Sequence, residues 1–281
     1  LKVVPPPMAA ALADRHRLVH DLLTGAHSLR ATAISSPRVV AVDSDLGIVE
    51  LGAMVGTPLH DTLLSGDAPS RRAALRAAAG VLVDLASIEI ADTALHGMEA
   101  GDGGTPAQWM TIAGSIHSGL LSLHAPVVSL LGAAARRLSD VRHSGVSLVH
   151  GDLHDKNLLL SDGHAAVIDL DAAGGGDPAV DQGNLVAHVA LRALQRGDGH
   201  DVGRAEATYL LDAIGRLADT SADDDHLSAV RLHAARALHR LSVIYRCRHR
   251  WAHLSSSLLD ESWHWAVGLA ATLQLDHAPT A

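Results

Sequence analysis

The stretch His150-Gly151-Asp152-Leu153-His154-Asp155-Lys156-Asn157 decides how this chain is read. It is polar and is bracketed by two short apolar runs of β type, Ser147 to His150 and Ala165 to Ile168. The second run leads directly into Asp169-Leu170-Asp171. Neighbouring backbone segments therefore deliver Asp152, Asn157 and Asp169 to one place, which makes them the candidate reactive residues.

The spacing matches the H-x-D-x-x-x-x-N loop of phosphoryl-transfer enzymes, followed by a magnesium-binding Asp on the next strand. A hydroxyl nucleophile needs a carboxylate to orient it and accept its proton, and Asp152 is the candidate base. Mg²⁺ is a hard cation that takes oxygen ligands, which Asn157 and Asp169 offer. The reaction then depends on positioning and charge neutralisation. His150 is expected to hold the loop by packing and hydrogen bonding. His154, two residues after the base, reads as a solvated loop residue or as a candidate nucleotide contact. Asp171 is expected to support the metal ligands, and Asp177 and Asp181 to cap the next helix and brace the loop.

Outward from this centre the chain divides unevenly. Towards the N-terminus, Lys2 to Val4 reads as a short strand ended by Pro5-Pro6-Pro7, and Met8 to Leu23 as a helix stopped near Gly25. The opening Leu1-Lys2-Val3-Val4 reads like the inside of a β-strand. Val39 to Val42 and Leu46 to Leu51 read as strands joined by a turn at Asp43-Ser44-Asp45, and Gly52 to Gly56 as a connector. Leu59 to Leu64, Arg71 to Ile88 and Ser118 to Leu138 carry helical patterns, the last with a break expected near Pro126. Gly174-Gly175-Gly176-Asp177-Pro178 reads as a flexible turn, and from Asp181 onward the pattern is almost entirely helical.

Composition narrows the classes. The chain has 281 residues, 22 Lys plus Arg against 31 Asp plus Glu, and a formal charge of −9, which argues against a nucleic-acid partner held by broad phosphate neutralisation. Cys247 is the sole cysteine, which excludes an internal disulfide framework and a four-cysteine zinc site and fits a reducing cytoplasm. Although His occurs 20 times, H-E-x-x-H is absent, which disfavours a metal-dependent hydrolase. The apolar runs are broken by charge, as at Asp84 and Glu89, so no membrane span is expected.

The ordered set of motifs resembles the aminoglycoside phosphotransferase family, the small-molecule kinases related to choline and homoserine kinases. His150 to Asn157, Val167 to Asp171, Gly176-Asp177-Pro178 and Asp181-Gln182-Gly183-Asn184-Leu185 carry the resemblance. The glycine after His150 and the short distance from Asp169 to Asp181 distinguish it from a protein kinase. The resemblance implies an α+β, protein kinase-like, two-lobed fold. Its N-terminal lobe is expected to be truncated, because no glycine-rich strand pair precedes Lys2. Residues 1–55 would form the partial nucleotide-binding lobe and hinge, and residues 56–281 the helical catalytic and substrate lobe.

In such a fold Lys2 would hold the nucleotide phosphates and the main chain of Gly52, Ala53 and Met54 would meet adenine. The lysine normally pairs with a helix glutamate, for which Asp14 or His16 is the candidate substitute. The expected activity is Mg²⁺-dependent phosphoryl transfer from ATP or GTP to a hydroxyl of a small molecule such as an aminoglycoside, amino alcohol or sugar. Asp223, Asp224, Asp225, Asp260 and Glu261 are candidates for an acidic substrate surface. The alternative is a non-catalytic kinase-like binding module that has lost efficient nucleotide handling.

Overall fold

Proline sets the first two elements. Pro5 interrupts the ladder after β1 (Lys2–Val3), and Pro6 and Pro7 sit in the first turn of α1 (Pro6–Gly25), where a missing N–H costs nothing. The computed structural model describes residues 1–26, 33–90, 104–139, 146–218 and 224–275. They belong to two units, Leu1–Gly101 with Gly145–Pro178, and Asp102–Ser144 with Ala179–Ala281.

In the first unit, α1 is followed by β2 (Ala33–Ser35), β3 (Val39–Asp43), β4 (Ile48–Leu51), β5 (Thr57–Pro58), α2 (Leu59–Ser65) and α3 (Ala68–Ala86). The expected turn is present: Asp43 Oδ1 accepts from the main-chain N of Asp45 and of Leu46 at 3.1 and 2.9 Å. One antiparallel sheet has the order β1-β4-β3, with Lys2 opposite Val49 and Val42 opposite Val49 on the other side. Val49 is wholly buried with Ala9 and Ala13 of α1. The buried stripe of that helix is Ala9, Ala13, His16, Val19 and Leu23, a helical period that places one imidazole among apolar groups.

The rest of this unit is β6 (Ser147–Val149), β7 (Leu158–Ser161), β8 (His164–Val167) and β9 (Gly174–Gly176). A second sheet runs β2-β8-β7-β5, with β2 parallel to β8 and β7 antiparallel to it. The β7–β8 hairpin turns at Asp162-Gly163, with Gly163 at φ 73°, the left-handed conformation that an Asp-Gly turn supplies. The three glycines expected to be a flexible turn form β9 and pair with β6, Val149 opposite Gly174. Ladder bonds come from the main chain, so residues without side chains can complete a strand where a partner is waiting.

The second unit is helical: α4 (Pro106–Ile116), α5 (Gly119–Ser139), α6 (Ala179–Arg196), α7 (Gly199–Leu217), α8 (Asp224–Arg246) and α9 (Leu254–Thr272). α4 starts with a capping box in which Thr105 and Gln108 exchange hydrogen bonds. The break expected at Pro126 does not occur; α5 continues through it. Proline removes one intrahelical bond, and the buried stripe Val127, Leu130, Leu131, Ala134 and Leu138 holds the helix in register. By length and composition α5 is also apolar enough to cross a membrane, which the charge-broken runs do not suggest. It packs against α4, α8 and α9.

α8 packs against both α6 and α9. Gly183 on α6 permits the first contact: a Cβ there would lie 2.5 Å from His233 Cβ and 2.6 Å from Ala234 N. Between α5 and α8, His124 Nδ1 and His239 Nε2 are 2.9 Å apart and buried. Burial keeps both rings neutral, lowering His124 from its ordinary value and His239 to about 4.

Candidate active site

The strand β6 delivers the chain to His150, whose ring organises the loop after it. His150 Nε2 donates to Ile168 O at 2.8 Å, and Nδ1 accepts from Asp152 N at 3.4 Å, so the two bonds fix the tautomer. Between them Gly151 turns the chain at φ 80°, which a side chain would oppose. The His150 ring thus bonds both to the backbone of Asp152 and to Ile168, the residue before Asp169.

The far end of the loop is tied back to its beginning. Asn157 Nδ2 donates to Asp152 O at 3.1 Å, and Asn157 N to His154 O at 2.9 Å. Asn157 O accepts from Ile168 N at 3.0 Å, joining the loop to the end of β8. Asp152 keeps its carboxylate about half exposed, with His154 Nε2 at 4.0 Å from Oδ2. His154 Nδ1 accepts from Lys156 N at 3.2 Å.

No sequence pattern signals the brace beneath this loop. Asp155 is fully buried, and His60 at the start of α2 reaches it twice: His60 N donates to Asp155 O at 2.9 Å, and His60 Nδ1 lies 2.9 Å from Asp155 Oδ2. The sequence separation of 95 residues explains why no local motif could reveal it. The one available clue is a second acid so close to the candidate base.

Asp169 follows β8 at φ 65° and ψ 54°, a left-handed conformation that costs a non-glycine residue about 1 kcal/mol or more and is held only by its surroundings. Lys2 Nζ donates to the carboxylates of both Asp169 and Asp171, so β1 and the segment after β8 meet through one ammonium group. α1 adds two further contacts to Asp171. His16 Nε2 lies 3.2 Å from Asp171 Oδ1, and Arg15 Nη1 donates to Asp171 O. The hydrogen bond from His16, followed by that from Lys2, holds the Asp171 carboxyl down at about 2 against the opposing effect of burial. Asp14 pairs instead with Arg17 at 2.8 Å, so it does not serve Lys2.

Asn157 and Asp169 suit a hard divalent cation. Asn157 commits its Nδ2 to the protein, leaving its amide oxygen as the donor atom, and the Asp169 carboxylate already faces a positive charge supplied by Lys2. The remaining sequence candidates lie elsewhere in the chain. Gly52 N donates to Arg38 O at 2.8 Å, while Ala53 and Met54 make no main-chain hydrogen bond among the described residues. Asp177 is half-buried, and Asp181 is buried in the first turn of α6, in the second unit. Glu261 is buried and bound by His200 Nδ1 and by Arg204 Nη2 at 3.0 Å, so it presents no charge to a substrate. Asp260 is exposed, and Asp223 lies outside the described residues.

Solved structures resemble this fold across most of the chain. A choline/ethanolamine kinase family protein from Mesorhizobium loti is 13% identical, with a TM-score of 0.59, covering 94% of this chain and 85% of its own. The GDP complex of aminoglycoside 2'-phosphotransferase-IIIa is 18% identical, with a TM-score of 0.56 and coverages of 89% and 82%. The streptomycin-ATP-APH(2")-IIa ternary complex is 15% identical, with a TM-score of 0.53 and coverages of 88% and 79%. These likenesses show the α+β, protein kinase-like fold expected from the motif order. No sequence relative among curated proteins matches the chain. The sequence model of the phosphotransferase enzyme family spans residues 1–218, more than three-quarters of the chain, and the chain belongs to that family.

Proposed function

We propose that the protein is a small-molecule kinase that transfers the γ-phosphoryl group of ATP or GTP, as its Mg²⁺ complex, to a hydroxyl of an aminoglycoside, amino alcohol or sugar. The observation that carries the reading is the closed loop from His150 to Asn157, tied to the end of β8 so that Asp152 and Asn157 share a frame with Asp169. A binding module has no need of that set. The nucleotides named in relatives, ATP in one and GDP in another, support a nucleoside triphosphate donor of either base.

In this reading Asp152 orients the acceptor hydroxyl and takes its proton through a carboxylate that is accessible at the loop surface. Asn157 and Asp169 hold Mg²⁺ by their side-chain oxygens. When bound, the ion neutralises charge on the triphosphate. Lys2 supplies a second positive charge to the phosphates, His154 a further contact, and the unbonded main chain of Ala53 and Met54 meets the base beside Gly52. His150 fixes the loop, and Asp171 and Asp177 support the ligands. Residues 1–55 would serve mainly the nucleotide and residues 56–281 the chemistry and the acceptor, in a cytoplasmic setting.

Calorimetric titration with Mg·ATP and Mg·GTP, repeated with EDTA, tests the reading. Magnesium-dependent binding is expected, followed by ADP or GDP release when hydroxylated small molecules are screened. Absence of binding to either nucleotide would sink it.

A further inference from the structure

We propose that Asp171, held by His16, is the positioning carboxylate that keeps Lys2 aimed at the nucleotide phosphates once a cation has taken Asp169. The inference rests on the phosphotransfer reading above. Lys2 Nζ is shared between Asp169 and Asp171, but the two carboxylates are not equivalent. Asp169 is the candidate metal ligand. A divalent ion attracts it more strongly than an ammonium group does, so Lys2 loses that partner when the ion binds. An ammonium has three N–H donors. One stays on Asp171 and the others become available to phosphate oxygens.

Asp171 is equipped to remain in place. Its carboxylate is bonded by His16 and its main-chain oxygen by Arg15, both from α1, so it is tied to that helix independently of Lys2. Asp14 of α1 is turned to Arg17, and the acids bonded to Lys2 are Asp169 and Asp171. The acid that anchors Lys2 therefore comes from the segment after β8, and the helix contributes a donor instead.

His16 also has a cost that packing alone does not explain. It is fully buried on the stripe formed by Ala9, Ala13, Val19 and Leu23. Its Nδ1 has no hydrogen-bond partner among the described residues, so the ring makes its one bond through Nε2, to Asp171. An orphaned buried acceptor is costly, because it gives up its hydrogen bond to water and gains none in return. An apolar residue would serve the stripe better if the ring had only a packing role. Directing Asp171 is the role left for it.

The test is a double-mutant cycle read by calorimetric affinity for Mg·ATP and Mg·GTP and by thermal melting. His16→Leu is expected to weaken nucleotide binding about tenfold without lowering the melting temperature. Lys2→Ala is expected to weaken it at least as much, and the double variant no more than Lys2→Ala alone. His16→Gln, whose Nε2 can donate to Asp171, is expected to recover most of the loss. Asp171→Asn in the same cycle replaces His16→Leu if that variant does not fold, because the Asp171 side chain is half-exposed. Additive losses at positions 16 and 2, or wild-type affinity in both His16→Leu and Asp171→Asn, overturn the inference and leave the phosphotransfer reading standing. A wild-type protein that binds neither nucleotide overturns both.

Discussion

Asn157 Nδ2 donates to the main-chain oxygen of Asp152 across 3.1 Å, so the candidate metal ligand also fixes the backbone of the candidate base. The two residues are therefore expected to fail differently when substituted. Asp152→Asn removes the proton acceptor and leaves the bond in place. Turnover should fall by about a hundredfold to ten-thousandfold, with Mg·ATP affinity changed by less than about threefold. Asn157→Ala loses an oxygen ligand and the brace together, so both affinity and turnover should fall. Steady-state kinetics beside calorimetry separates the two patterns. Turnover retained by Asp152→Asn would remove that residue from the role of base.

His60 is expected to matter although it lies outside every motif. It gives fully buried Asp155 a side-chain partner at 2.9 Å, and its removal strips one bond from a desolvated carboxylate. His60→Ala should destabilise the protein by about 1–3 kcal/mol and lower turnover through loosening of the loop. Urea denaturation measures the first effect. His60→Asn, whose amide can reach towards the same oxygen, should lose less. Equal stability of His60→Ala and wild type would show that the other contacts of Asp155 suffice.

The stability of the second unit should depend on pH through the buried His124–His239 pair. Native His239 titrates at about 4, whereas an unfolded histidine takes its proton near 6.5. Between those values the unfolded state binds more protons than the native state. Stability is therefore expected to fall as pH falls from about 6.5 towards 4, by at most about 3 kcal/mol from this residue. Denaturant midpoints at pH 7, 5.5 and 4.5 give the slope. His239→Gln keeps hydrogen-bonding capacity without a titrating ring and should flatten that slope, leaving the smaller contributions of His124 and His264, which burial also lowers. An unchanged slope would assign the acid sensitivity to other groups.

Much of the fold is legible because it is encoded locally. The Val-rich run Val39 to Val42, the Asp43 turn and the spacing of Ala9, Ala13, Val19 and Leu23 all state their structure within a few residues. The candidate catalytic loop is legible for the same reason, since Asp152, Asn157 and Asp169 lie within 18 positions of one another. Sequence and structure part company where partners are remote. Gly174–Gly176 has no strand propensity and is a strand because β6 is there to pair with it. β7 escapes the sequence reading although Asp162-Gly163 after an apolar run is a hairpin signal. Pro126 suggests a break that the packed stripe around it overrides. His60 with Asp155, and His16 with Asp171, join positions 95 and 155 apart, beyond the reach of any motif.

Gly183 offers a test of how closely the helices of the second unit meet. It lies on α6 where a Cβ would come within 2.5 Å of His233 Cβ, 2.6 Å of Ala234 N and 2.7 Å of Val230 O, all on α8. Two of those three atoms are backbone, so no side-chain rotation relieves the clash, and the helices must separate. Alanine has the better helix propensity by about 1 kcal/mol, which would make Gly183→Ala stabilising if the site were open. Overpacking costs about 1–3 kcal/mol and outweighs it where backbone must shift. Gly183→Ala should therefore lower the thermal midpoint by several degrees. Gly268→Ala on α9, where a Cβ would meet no atom within 4 Å, should raise it slightly. A Gly183→Ala variant as stable as wild type would mean that α6 and α8 pack less tightly than these distances state.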